Sequence, residues 1–128
     1  MATQNTTPAA GKAKPVLKLR MRISLGEQIA VGPGKIALLE ALAEQGSITA
    51  AAKSLEMSYR RAWLLIDELN RSLAEPAVAS ATGGQHGGGS EVTETGRRLI
   101  ALYRGVEAQA LKACAPDIRK LMNLLAKP

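Results

Sequence analysis

The chain has 128 residues, of which 46% are hydrophobic, so it is long enough to bury a core without a metal ion or a disulfide. Its net charge is +6, from 17 Lys and Arg residues against 11 Asp and Glu residues. Aromatic residues are scarce, which argues against OB-fold and RRM-like binders of single-stranded nucleic acid, since those need several rings for base stacking. No apolar run approaches the roughly 20 residues of a membrane span, and the single Cys114 is typical of a reducing, cytoplasmic setting.

The positive charge is concentrated at the start of the chain. Residues 1–15 are small, polar and poor in apolar side chains, so we predict that they form a disordered basic arm ahead of one domain over residues 16–128. They also lack the apolar stretch of a signal peptide. A basic segment suits an anionic polymer such as nucleic acid, although a solvated tail has the same composition. Five cations precede all 11 acidic residues, namely Lys12, Lys14, Lys18, Arg20 and Arg22.

Two elements are predicted before residue 46. Period-two alternation from Val16 predicts a half-buried strand with a basic outer face. Its buried face would carry Leu17, Leu19, Met21 and Ile23, and its outer face Lys18, Arg20 and Arg22. After Gly32-Pro33-Gly34, apolar residues at helical spacing predict a helix that ends at Gly46, a glycine suited to a helix C-terminus. These apolar residues are Ile36, Leu39, Leu42 and Ala43.

The next two elements are the most informative part of the sequence. Ser47 and Thr49 are alternative N-caps for a short helix that ends near Leu55, and Ser58 caps a second helix that ends near Leu73. Four residues of the second helix form a stripe predicted to be buried: Ala62, Leu65, Ile66 and Leu69. The opposite face carries Arg60, Leu64 and Asp67, flanked by Tyr59 and Trp63. Two helices with a short connection, the second with a basic and aromatic outer N-terminus, are typical of a helix-turn-helix.

A hairpin and a long helix complete the predicted fold. Two short strands flank the glycine-rich loop 82–90. Thr93 caps a long helix that ends near Cys114, and Pro116 separates it from a short helix that ends near Ala126. The predicted strands are Val78–Ala81 and Glu91–Thr93. This order predicts a mainly α fold with a small β-sheet: a winged helix-turn-helix with an N-terminal strand and a long C-terminal dimerisation helix.

Four strings in this layout resemble one known family. They are Gly46-Ser47-Ile48-x-x-Ala51-Ala52, Met57-Ser58-Tyr59-x-x-Ala62-Trp63-x-x-Ile66-x-Glu68-Leu69-Asn70, Ala81-Thr82-Gly83-Gly84-x-x-Gly87-Gly88-Gly89 and Val92-Thr93-x-x-Gly96-x-x-Leu99-Ile100. Together they are similar to the N-terminal DNA-binding domain of the ModE family of molybdate-responsive transcriptional regulators, whose winged helix resembles that of LysR-type regulators. The resemblance covers residues 16–113 and implies a homodimeric regulator that binds duplex DNA.

The resemblance is incomplete in two respects. ModE proteins continue into a tandem molybdate-binding module, and the residues after the match are too few for one, so we do not carry molybdate sensing over. ModE wings usually hold a Lys among their glycines, where this chain has Gln85-His86. Since a histidine gains charge near neutral pH, the resemblance implies a weaker and pH-dependent contact of the wing with a phosphate.

The outer face of the second helix is the expected DNA-reading surface. Arg60 points away from the buried stripe, so we predict that its guanidinium contacts a guanine edge. Tyr59 and Trp63 would contact a thymine methyl or a sugar, with packing inside the chain as the alternative for Trp63. Arg61, farther round the helix, would reach a phosphate, as would the start of the preceding helix. The predicted DNA-binding set is Ser47, Thr49, Ser58, Tyr59, Arg60, Arg61, Trp63, Gln85 and His86.

Excess apolar surface on the long helix predicts a homodimer. The helix has more apolar positions than one small domain covers, so we expect it to pair across a two-fold axis and to place two reading helices about 34 Å apart. The predicted interface is Leu99, Leu102, Tyr103, Val106 and Ala110. The alternative is a winged-helix module that binds a protein, such as a separate effector or sensor chain, through Trp63 and Leu64.

No catalytic, metal or cofactor site is predicted. One His and one Cys cannot hold a structural zinc ion unaided, and no Ser-His-Asp or Cys-His combination stands out. The glycine-rich loop lacks the Lys-Ser/Thr that follows a phosphate-binding loop. We therefore expect a regulator without enzymatic activity.

Overall fold

The computed structural model describes residues 13–80 and 89–126. These residues divide into two compact units: one comprises residues 20–106, and the other comprises residues 13–19 together with 107–126. Most of the predicted basic arm (residues 1–12) and most of the predicted wing loop (residues 81–88) lie outside the described residues.

The strands and helices follow one another in the order that the sequence predicted, with one added strand. The elements are β1 (Ile23–Leu25), β2 (Gln28–Val31), α1 (Pro33–Gln45), α2 (Ile48–Ser54), α3 (Tyr59–Ser72), β3 (Val78–Ser80), β4 (Ser90–Val92), α4 (Glu94–Ala113) and α5 (Ala115–Asn123). β1 pairs antiparallel with β2, and β3 pairs antiparallel with β4. The prediction of a mainly α fold with a small amount of sheet, arranged as a winged helix-turn-helix, is confirmed.

The prediction of one strand over residues 16–23 is wrong. Residues 14–22 have no regular secondary structure, and Leu17 and Leu19 are exposed. The strand begins at Ile23 because its partner β2 is short: Ile23 pairs with Val31, and Pro33 then starts α1. Residues before Ile23 therefore find no partner in β2. The hairpin itself was missed, although its two-residue turn begins with Gly26 at φ 62, a conformation that glycine adopts without steric cost.

The core of the unit formed by residues 20–106 is centred on α1. Four of its side chains are almost fully buried: Ile36, Leu38, Leu39 and Leu42. Ala43, predicted to face the core, is exposed. The helix ends as predicted at Gly46, whose φ is 82 and whose N–H donates to the Leu42 carbonyl at 2.8 Å. Residues of α3 complete this core: Ala62, Ile66 and Leu69 are buried, and Leu65 is half-buried against them.

A salt bridge with two hydrogen bonds links α1 to α4. The Nε of Arg104 lies 2.8 Å from Oε2 of Glu40, and its Nη2 lies 2.6 Å from Oε1. The hydrogen bonds from Arg104 lower the pKa of the Glu40 carboxyl; partial burial opposes this shift, and the charge of Arg104 adds to it. Both side chains remain more than a third exposed, so solvent screens the interaction.

The substitution Glu40→Gln is expected to lower the free energy of unfolding at neutral pH by less than about 1 kcal/mol. Because the folded-state pKa is lowered, the carboxylate stabilises the fold above its usual pKa of 4.5, and this contribution is lost as the pH falls through the folded value. The difference between the variant and the wild type should therefore shrink in acid. Urea unfolding at neutral and acidic pH checks this; a gap that widens in acid contradicts it.

The second unit contains the C-terminal part of α4 and the short helix α5. α5 starts at Ala115 and thus includes Pro116, which was predicted to separate the two helices; a proline is tolerated in the first helical turn, where a missing N–H costs nothing. Leu121 of α5 is exposed, as are Leu124 and Leu125 just beyond the helix. Among the helices of the described residues, none is long and apolar enough to cross a membrane.

Candidate nucleic-acid interface

Two serine caps fix the start of each helix in the predicted helix-turn-helix. The hydroxyl of Ser47 accepts a hydrogen bond from the Ala50 N–H at 3.1 Å, so Ser47, not Thr49, is the N-cap of α2. The hydroxyl of Ser58 accepts from the Arg61 N–H at the same distance and caps α3 as predicted. Thr49 is exposed in the first turn of α2. Both hydroxyls keep a proton to donate, and both lie at the helix ends that carry positive partial charge.

The connection between α2 and α3 is tight. The N–H of Met57 donates to the Ala52 carbonyl at 3.0 Å, which folds the chain back on α2. Glu56 takes a positive φ of 57, a conformation that costs a residue with a side chain roughly 1 kcal/mol. Leu55 and Met57 are partly buried against the core. The turn geometry is therefore held by packing on both sides of Glu56.

The N-terminal half of α3 presents a basic and aromatic surface, which we call the recognition face and define by Tyr59, Arg60 and Trp63. Tyr59 is 54% exposed and Trp63 is 46% exposed. Arg60 is also exposed, and no ion pair joins it to another described residue. The three side chains line a shallow hollow of about 340 Å³. Leu64 is exposed beside them, so a partner would meet both hydrogen-bond donors and apolar area here.

One flank of α3 is joined to β3 by a single amide side chain. Oδ1 of Asn70 accepts hydrogen bonds from the N–H groups of Ala77 and Val78, at 2.8 and 3.2 Å, and its Nδ2 donates to the Val78 carbonyl at 3.0 Å. The side chain thus pairs with the backbone as a neighbouring strand would. This residue fixes the β3–β4 hairpin, the wing, against α3.

Replacing Asn70 with alanine is expected to lower the free energy of unfolding by about 2 kcal/mol, because three partly buried backbone groups lose their partner. Ser72→Ala is the matched control on the same helix. Its hydroxyl donates only to the Glu68 carbonyl, one turn back, a bond that adds little to helix stability. Urea unfolding of both variants measures the difference, and equal losses in the two would contradict the role given to Asn70.

The wing is built as predicted where the structure describes it. Val78 pairs with Val92, and Ser80 pairs with Ser90. Thr93 then starts α4: its hydroxyl accepts from the Gly96 N–H at 3.1 Å. The predicted contact residues Gln85 and His86 lie outside the described residues.

The other flank of α3 faces the β1–β2 hairpin across a cleft of about 480 Å³. Arg61, one of the predicted phosphate contacts, lines it together with Arg20, Arg22 and the buried Lys35. The basic residues ahead of β1 were predicted only as the outer face of a strand. The predicted elements contain no hairpin here, so the sequence does not indicate that these residues and Arg61 line one cleft.

The predicted dimer residues are not equally available. Leu102 and Val106 are 62% and 49% exposed, whereas Leu99 is partly buried against the chain's own core and Ala110 is half-buried. Tyr103 is only 3% exposed, and its hydroxyl donates to the Met21 carbonyl at 2.7 Å. Its ring is therefore part of the core of its own chain. Tyr103 is not accessible to a second copy, contrary to the prediction.

In residues 13–80 and 89–126, no group of three His, Cys, Asp or Glu side chains is placed to hold a metal ion. The recognition face is lined by one arginine and two aromatic rings, and the cleft by four cations, two glutamates and apolar residues. A capped helix-turn-helix with an exposed basic face, followed by a two-stranded wing and a long helix, defines a winged helix-turn-helix protein.

Comparison with known proteins places the chain in a family. The model of bacterial regulatory helix-turn-helix proteins of the lysR family matches residues 34–97, which is half of the chain, and the chain belongs to this family. The fold agrees: a chain from the crystal structure of a CbnR_DBD–DNA complex matches with a TM-score of 0.52, covering 69% of this chain and 95% of that one at 20% identity.

Several relatives are ModE proteins, which confirms the ModE-like resemblance. The chain is 41% identical over 90 residues to the molybdenum transport protein ModE of Azotobacter vinelandii, covering 70% of this chain and 33% of the relative. It is 35% identical over 112 residues to the transcriptional regulator ModE of Yersinia pestis, covering 85% and 43%. It is 38% identical over 86 residues to the DNA-binding transcriptional dual regulator ModE of Escherichia coli K12, covering 67% and 33%. The chain thus spans less than half the length of these relatives.

Proposed function

We propose that the chain is a cytoplasmic transcriptional regulator that binds duplex DNA at specific sequences, as a homodimer and without a catalytic step. The observation that carries the proposal is the recognition face: Arg60 and two aromatic side chains are exposed together on the first two turns of the second helix of a helix-turn-helix. Side chains at these turns contact base edges when such a helix lies in the major groove.

Each residue of the recognition face has a proposed role. The guanidinium of Arg60 donates two parallel hydrogen bonds to a guanine edge, the commonest specific contact in the major groove. Tyr59 and Trp63 contact a thymine methyl or a sugar. Ser47, Thr49 and Ser58, at the starts of α2 and α3, donate hydroxyl or backbone hydrogens to phosphates. Gln85 and His86 of the wing remain predicted contacts.

The proposed dimer uses the exposed side of α4. Leu102 and Val106 lie four residues apart, so they share one face of the helix, and both are about half exposed or more. Pairing two copies along this face would bury them. Sedimentation at micromolar concentration tests this: the dimer mass is expected, and Leu102→Glu, which places a charge at the contact, should yield monomers. A wild-type monomer contradicts the dimer but not DNA binding.

Selection of bound fragments from a pool of random duplexes tests the function directly. We expect enrichment of one sequence with two half-sites whose centres are about one helical turn, or a multiple of it, apart. A pool that is not enriched over repeated rounds overturns the proposal. That outcome would favour the alternative in which Trp63 and Leu64, both exposed, meet a protein partner.

A further inference from the structure

The helix α3 has two flanks beside its recognition face, and only one of them adjoins the wing. At about 100° per residue, Tyr59 and Trp63 form the edge of the recognition face on the side of Asn70. The other side of the helix carries Arg61, Leu65 and Glu68. The contacts agree: Asn70 bonds to β3, whereas the second set lines the cleft beside the β1–β2 hairpin. The helix therefore has a structural element on each side of it.

Arginines from two separate segments line this cleft, which we call the basic cleft and define by Arg20, Arg22 and Arg61. Arg20 and Arg22 precede β1, and Arg61 lies in the first turn of α3. The Cγ of Arg22 lies 3.4 Å from where a Cβ on Gly32 would stand, so its stem packs over the start of α1. All three residues are exposed, and none is in an ion pair or a hydrogen bond through its side chain with another described residue.

The floor of the basic cleft is electrically balanced, so its walls determine its charge. Lys35 is 6% exposed; its Nζ donates to the Ile29 carbonyl and lies 3.2 Å from Oε1 of Glu68. Lys35 and Glu68 therefore neutralise each other. Glu27, in the turn of the hairpin, is the other carboxylate at the cleft. The three arginines outnumber this carboxylate, so the walls of the cleft carry a net positive charge.

We propose that the basic cleft binds a phosphate of the DNA backbone, on the wall of the major groove opposite the wall that the wing approaches. The inference rests on the proposed function and adds a second backbone contact to it. Guanidinium groups suit a phosphate because they donate two parallel hydrogen bonds to its oxygens. An α-helix of about 10–12 Å diameter nearly fills a major groove about 12 Å wide. Cations on the flank of such a helix therefore lie beside the phosphates that line the groove.

The test removes the two arginines that do not belong to α3. In the full chain, Arg20→Ala/Arg22→Ala is compared with Arg119→Ala/Lys120→Ala, which deletes the same charge from exposed positions of α5 off its apolar stripe. Affinity for the selected duplex and for a random duplex is measured over a series of salt concentrations. Because each phosphate contact contributes about 0.9 to the slope of log affinity against log salt, the first variant should flatten the slope by about 1 to 2. The control should leave it nearly unchanged.

The results separate this proposal from the proposed function. Support requires a flatter slope for the arginine variant, with affinity lowered by a similar factor on both duplexes, since a phosphate contact carries no sequence information. A slope equal to that of the wild type or the control overturns the basic cleft while leaving DNA binding intact. Failure of the wild type to bind any duplex overturns both. Circular dichroism of each variant excludes unfolding as the cause, and ethylation interference should lose one phosphate per half-site in the arginine variant.

Discussion

Arg60→Ala is expected to weaken binding to a selected duplex by about 1–3 kcal/mol and to relax the base preference at one position of each half-site. The guanidinium is exposed in the first turn of α3 and is in no ion pair with another described residue, so its donors are free to meet a base. Loss of a guanine contact removes discrimination at that base alone. Binding to random duplexes should fall much less, because that binding depends on the phosphates.

Arg71→Ala is the matched control for Arg60→Ala. It removes the same charge from the same helix, 11 residues farther along, which at about 1.5 Å per residue is roughly 16 Å away. Arg71 lies in the last turn of α3, and its Nε is 2.9 Å from Oδ2 of Asp67. Affinities of both variants for the selected duplex and for single-base variants of it show whether Arg60 contributes a base contact or only its charge. Equal losses for the two would mean that charge, and not base contact, is what Arg60 supplies.

Gly96→Ala is expected to destabilise the fold by about 3 kcal/mol, the upper part of the range for overpacking. A Cβ at this position would stand 2.4 Å from the Ala77 carbonyl oxygen and 2.6 Å from Cγ1 of Val92. The first of these atoms is backbone and cannot move freely, since the same oxygen accepts the Thr93 N–H at 2.9 Å. The methyl group would therefore push α4 away from the strands of the wing.

Gly105→Ala is the control in the same helix. Apart from its chain neighbours and the backbone of its own helix, no described atom lies within 4 Å of its Cβ position, so alanine should keep the fold and add up to about 1 kcal/mol through its higher helix propensity. Urea or thermal unfolding of both variants measures the two effects, which are expected to have opposite signs. If Gly96→Ala were as stable as the wild type, the close approach of α4 to Ala77 would be refuted.

The sequence predicted the elements whose start, end or buried face depends on residues close together in the chain. The caps at Ser47 and Ser58 and the end of α1 at Gly46 depend on residues within one turn of each other. The buried stripe of α3 follows from helical periodicity alone. These short-range rules placed the helix-turn-helix and the hairpin after it. The roles assigned to the recognition face remain predictions, because orientation towards solvent permits a contact without identifying the partner.

Features that depend on distant residues were missed. The alternation before β1 is the same whether or not a partner strand exists, so it could not reveal that β2 is too short to pair with residues 16–22. Lys35 is buried beside Glu68, its ion-pair partner 33 positions away. No local sequence pattern predicts a pairing over that distance. Tyr103 is predicted to lie in the dimer interface because it shares the apolar stripe of α4. Its hydrogen bond to the Met21 carbonyl, 82 positions away, has no local sequence signal.

Both hairpins are attached to α3 by polar side chains: Asn70 holds the wing on one side, and Lys35 connects Ile29 of the β1–β2 hairpin with Glu68 on the other. The shape offered to a ligand therefore exists before any encounter. For α3 and the described parts of the two hairpins, conformational entropy is therefore lost on folding and not when the proposed duplex binds. Association through this part of the surface should then be limited by diffusion and charge, and its share of the heat-capacity change on binding should follow its contact area.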